Sequence, residues 1–140
     1  MLPPRAAKRE VPSVAKKTAA EMVAEAKSRI RNLSPDEVAA ELKRGNVVLV
    51  DLREPEEREE NGAIPGSVSA PRGMLEFYAD PTTSYHREEF DPEQDIILYC
   101  SAGGRSALAA DTLQQMGYRR VAHLEGGFTA WRDQGLPVEP

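Results

Sequence analysis

The feature that most constrains this chain is a pair of short apolar runs, residues 47–50 and 96–99, each bounded by polar or turn-forming residues. Each is short for a buried helix and rich in branched aliphatic side chains, the signature of a strand covered on both faces. Such strands belong to parallel sheets, and parallel neighbours require crossover connections, usually helices. The chain supplies them. Ser34, Pro35 and Glu37 form a helix start, with a hydroxyl N-cap, proline at the first helical position and a carboxylate at the third. That helix is predicted to run to Arg44, with Gly45 beyond its end. Residues 53–60 read as a charged helical stretch, residues 67–70 as a short strand after the turns around Ile64, and residues 119–124 as a further strand. A last helix over residues 128–134 stops at Gly135 and Pro137. The expected architecture is α/β: a mainly parallel central sheet covered by helices on both faces.

At 140 residues the chain suits one domain with its own core. Three prolines in residues 1–15 favour a flexible tail. Over residues 16–32, Ala19, Met22, Val23, Ala26 and Ile30 recur at three- and four-residue steps, which predicts an amphipathic helix preceding a domain at 33–140. Its apolar stripe needs a cover, either this domain or a second copy, so monomer and homodimer both stay open. Residues 71–92 have no clean period; residues 72–77, beginning at Arg72, suit a pocket wall, with Met74, Leu75 and Phe77 equally suited to ordinary core.

Net charge is −5, with +5 in residues 1–31 and −10 in the rest. An acidic body repels phosphate, so nucleic acid is not an expected partner. No apolar run approaches the roughly 20 residues of a membrane helix, and no apolar leader begins the chain, so no membrane partner and a cytoplasmic location are expected.

Cys100 is the only cysteine, which excludes an intrachain disulfide and a multi-cysteine zinc site. His86 and His123 have no ligand-like neighbours in sequence, and no metal is expected. Cys100 stands where the strand at 95–99 ends, the place at which open α/β sheets form their sites. Ser101, Ala102, Gly103 and Gly104 follow, then Arg105 and Ser106. Two glycines allow successive amides to turn inward as an anion-binding nest, and a helix beginning near Ser106 adds the positive end of its dipole. Such a setting stabilises a negative sulfur. Cys100 is therefore the candidate nucleophile, with residues 101–106 as its loop. Arg105 either orients a donor's oxyanion or braces the loop through a carboxylate, for which Asp51 and Glu54 are the candidates; Arg53 and Arg58 belong either to this support or to a solvated helix. The acidic run at 54–60 reads as a solvated face, and Phe128 and Trp131 as core.

These residues resemble the active-site loop of rhodanese-like sulfurtransferases. Three further segments agree: residues 48–57, from the first strand through Arg53, Glu54 and Pro55; Ile64, Pro65 and Gly66; and residues 124–131 with Gly135, Leu136 and Pro137. The resemblance covers residues 33–137 and implies a three-layer rhodanese-like domain with an N-terminal helical extension. It further implies transfer of a sulfane sulfur from thiosulfate or a persulfide, through a Cys100 persulfide, to a thiol or cyanide. The only cofactor-like species is then that covalent persulfide. The chain departs from the family at Ala63, where many members have histidine, and in having no further loop cation near Cys100, which bears on thiosulfate as donor. Four residues separate Cys100 from Arg105, against five in the related phosphatases and arsenate reductases, a shorter loop suited to a single sulfur. The alternative reading is a catalytically weak binding or redox-regulatory module on the same fold.

Overall fold

A computed structural model describes residues 16–140; the expected tail at 1–15 lies outside the described residues. Five parallel strands form one sheet in the order β1-β5-β4-β2-β3. They are β1 Arg31–Leu33, β2 Val47–Asp51, β3 Val68–Ser69, β4 Asp95–Tyr99 and β5 Val121–Leu124. The helices are α1 Ala19–Lys27, α2 Pro35–Arg44, α3 Pro55–Asn61, α4 Leu75–Ala79, α5 Gly104–Gln115 and α6 Gly127–Asp133. The mixed α/β, parallel-sheet reading holds.

Alternation along the central strands divides the core into two. Val50, Ile96 and Leu98 pack on one side with Leu75, Phe90 and Leu113. Leu49, Ile97 and Tyr99 pack on the other with Val38, Phe128 and Trp131. Because both faces are covered, β4 is buried at four of its five positions, each large apolar side chain contributing about 1.5–3 kcal/mol. Phe128 and Trp131 are core, as expected. In residues 71–79 the roles separate: Leu75 is buried, whereas Phe77 is largely exposed.

Two elements at the N-terminal side differ from the periodicity. The helix is shorter than 16–32, beginning at a Thr18–Glu21 capping box and ending at Lys27. Residues 31–33 then form an edge strand that pairs with β5, Asn32 opposite His123. The apolar stripe of α1 is covered in part within the chain: Ala26 is fully buried and α1 lies along α5, while Ala19 and Met22 are exposed. Ser34 caps α2 through a reciprocal pair with Glu37, and Gly45 ends it at φ 81°, as its sequence requires.

Candidate active site

Cys100 is the first residue after β4 and is 1% exposed. Its sulfur faces the loop that follows. Gly103 N–H donates to Sγ at 3.2 Å and Ser106 N–H at 3.4 Å, while Ser106 Oγ lies 3.5 Å away. The loop closes on the sulfur because Gly103 takes φ 105°, a conformation open to glycine, and because a Cβ there would come within 3.3 Å of Gly126 N. α5 begins at Gly104, two residues earlier than the sequence suggests, so Arg105 and Ser106 lie in its first turn. That correction brings the helix N-terminus directly against the sulfur. Ala102 is exposed, and Gly104 rests against Val23 of α1.

Two clamps hold the loop. From one side, α6 feeds its first amides into the loop carbonyls: Phe128 N–H to Cys100 O at 2.8 Å and Thr129 N–H to Ser101 O at 3.0 Å. Gly127 makes this approach possible, since a Cβ there would stand 2.5 Å from Ser101 O and 2.6 Å from Cys100 O. With these carbonyls tied outward, the amides that follow turn toward Sγ.

From the other side comes Glu57 of α3. Its carboxylate takes both arms of Arg105, at 2.8 and 3.0 Å, the Ser101 hydroxyl at 2.9 Å and the Glu54 amide at 2.9 Å. Arg105 foremost, with the Glu54 amide and Ser101, pulls the Glu57 carboxyl down to about 2 against a smaller desolvation cost. The Arg105 guanidinium is correspondingly held above its ordinary value, chiefly by Glu57. The bracing role expected for Arg105 thus falls to Glu57, not to Asp51 or Glu54. Glu54 is exposed at the start of α3. The solvated reading of the acidic run fails at Glu57, which lies on the α3 face turned to the loop.

Asp51 and Arg53 form a separate buried unit. Arg53 is 1% exposed, pairs with Asp51 at 2.9 and 2.8 Å, donates to Gly62 O at 2.8 Å and lies 4.3 Å from the Phe128 ring centroid. Arg58 reaches the same Asp51 carboxylate at 2.9 Å and binds Ser67. Neither arginine lies on a solvated helix face. This unit fastens β2 to the turn around Ile64, whose amide donates to the Tyr99 hydroxyl at 3.2 Å.

Sequence reasoning set His123 aside, yet it is fully buried and linked to the site. Its Nδ1 meets Ser106 Oγ at 2.9 Å, and its Nε2 meets Asn32 Oδ1 at 2.9 Å with Glu125 Oε1 at 3.4 Å. Burial lowers its pKa, with Lys27 acting in the same direction and Glu125 opposing. The available signal was a histidine inside a strand whose every position is buried: such a ring must find partners for both nitrogens. Among the described residues no cluster of three or more His, Cys, Asp or Glu side chains is arranged to hold a metal, and no helix is long and apolar enough to cross a membrane.

Cys100 is thus a buried cysteine at a strand end, ringed by loop amides and a helix N-terminus, groups that favour a negative sulfur. The model of the rhodanese-like domain matches residues 34–134. A sulfurtransferase from Allochromatium vinosum is 36% identical over 93 residues, which cover 66% of this chain and 78% of that protein. A Rhodopseudomonas palustris structure described as a protein of unknown function and possible tyrosine phosphatase aligns at TM-score 0.86 and 45% identity, over 92% of this chain and 99% of that one. The polysulfide-sulfur transferase homodimer of Wolinella succinogenes aligns at TM-score 0.67 and 29% identity, over 83% and 82% of the two chains. The chain belongs to the rhodanese-like domain family, which includes sulfurtransferases.

Proposed function

We propose that this protein is a sulfurtransferase that carries a sulfane sulfur as a persulfide on Cys100. The observation that carries the reading is the pair of amides, Gly103 N–H and Ser106 N–H, aimed at Sγ from a loop clamped by Glu57 and α6. These donors stabilise charge on sulfur where it develops, in a site that excludes water. In the first step the Cys100 thiolate attacks the outer sulfur of thiosulfate or of a low-molecular persulfide. A new S–S bond forms, the donor's S–S bond breaks, and sulfite or a thiolate leaves with the electron pair. In the second step a thiolate or cyanide takes the outer sulfur, and the Cys100 thiolate is released. As the only cysteine, Cys100 leaves its persulfide to an external acceptor. No cofactor beyond this covalent intermediate takes part.

Phosphate-ester hydrolysis, the reading attached to the Rhodopseudomonas palustris structure, fits the site less well. Four residues rather than five separate Cys100 from Arg105, and both arms of Arg105 already grip Glu57. The near-complete burial of Cys100 favours a donor that presents one terminal sulfur over a bulky tetrahedral group. The reading is tested by thiocyanate formation from thiosulfate or glutathione persulfide with cyanide, alongside aryl phosphate hydrolysis. Sulfur transfer that is lost in Cys100→Ser supports it. Turnover of the aryl phosphate alone supports the phosphatase, and turnover of neither supports a binding or redox-regulatory module.

A further inference from the structure

His123 plays no part in the chemistry above, yet its hydrogen bonds fix where its protons sit. Asn32 Nδ2 donates to Lys27 O at 2.9 Å and to Ile30 O at 3.2 Å, which identifies Oδ1 as the atom facing the ring. Oδ1 only accepts, and so does the Glu125 carboxylate beside it, so Nε2 carries a proton. In the neutral ring Nδ1 is then bare and takes the Ser106 hydroxyl proton at 2.9 Å. Ser106 turns its lone pairs to Cys100 Sγ at 3.5 Å. In this arrangement Ser106 accepts from an S–H group but has no proton to give a thiolate.

We propose that His123 is a positioning residue for Cys100 that takes the thiol proton through Ser106. The S–H proton passes to Ser106 Oγ as the Ser106 hydroxyl proton passes to His123 Nδ1. One S–H bond breaks and one N–H bond forms, the serine keeps a single proton, and no electrons change owner. The result is a thiolate held by two amides and by the turned Ser106 hydroxyl, with an imidazolium two hydrogen bonds away. The charged groups facing the pair are Glu125 at the end of β5, which favours the imidazolium, Lys27 of α1, which opposes it and pairs with Glu125 at 2.6 Å, and Arg105 of α5 beside Cys100. Burial makes a lone imidazolium unfavourable, so the charged ring goes with a negative sulfur two hydrogen bonds away. Asn32 and Lys27 lie before the matched span 34–134. The segment formed by α1 and β1 thereby gains a role, anchoring the outer nitrogen of the ring.

The inference rests on Cys100 as the reactive thiol but needs no sulfur donor for its test, so its failure and that of sulfur transfer are distinguishable. The primary measurement is the imidazole nitrogen NMR spectrum of the intact protein across pH, compared with the pH profile of Cys100 alkylation by iodoacetamide. The expected result is that Nδ1 already carries a proton over the pH range where alkylation rises, and that alkylated protein returns to the neutral form protonated at Nε2. An Nδ1 that stays bare through the whole rise overturns the proposal. His123→Asn and Ser106→Ala should each move the alkylation profile about one pH unit upward, a roughly tenfold slower reaction below the midpoint, and the double variant should add nothing further. Additive losses, or lower melting temperatures with an unmoved profile, would instead assign both residues to packing.

Discussion

Two carboxylate–guanidinium units stand near the same end of the sheet and do different work. Asp51 and Arg53 are both 1% exposed at the side chain, whereas Glu57 and Arg105 are 30% and 39% exposed. The first ties β2 to the Ile64 turn and packs its guanidinium on Phe128; the second ties α3 to the Cys100 loop. Breaking a fully buried pair leaves a charge with neither partner nor water, while a half-exposed pair is rescued by solvent and contributes little to stability. The buried unit therefore maintains the fold, and the exposed one maintains the geometry around sulfur.

That contrast is sharpest at Arg53. Arg53→Met should lower unfolding stability by about 3 kcal/mol in urea titration, the low end for a buried pair because Arg58 still reaches Asp51. A loss under about 1 kcal/mol would erase the distinction. Next in size, Gly127→Ala should cost more than about 1 kcal/mol, since it meets two loop carbonyls besides adopting φ 63°. Gly66→Ala, at φ 82° with no atom within 4 Å of the new Cβ, provides the control for backbone strain alone. Only Gly127→Ala should also slow Cys100 alkylation. Glu57→Gln should cost less than about 1 kcal/mol yet clearly slow sulfur loading, measured by quenched time points. The smallest effect lies in acid. The Glu57 carboxyl is depressed from 4.5 to about 2, so its contribution is complete above the ordinary carboxylate range and is lost as pH falls from about 4.5 toward 2. Glu57→Gln should therefore flatten that part of the stability profile, and an unchanged acid limb would place Glu57 outside the clamp.

The parts legible in the sequence were those fixed by local physics. Ser34 with Glu37 marks a helix start through bonds three residues apart, and residues 95–99 announce a strand by their aliphatic run. Cys100 and its glycines are readable because a strand end followed by turn-forming residues defines a loop. What escaped depends on closure of the chain. Glu57 sits among five charged neighbours, and only the docking of α3 selects it for Arg105. Arg53 looks like a surface charge until Asp51 and Gly62 surround it. β1 has three residues, two of them exposed, and carries no apolar alternation of its own; pairing with β5 makes it a strand. His123 needed the same pairing, which places Asn32 beside its ring.

The central claim, that Cys100 carries sulfur, is tested most directly by intact mass spectrometry after incubation with thiosulfate or glutathione persulfide, with Cys100→Ser alongside. The account predicts a gain of one sulfur atom that cyanide removes and that the serine variant never acquires. An unmodified mass with both donors, in protein whose Cys100 still alkylates, would contradict it.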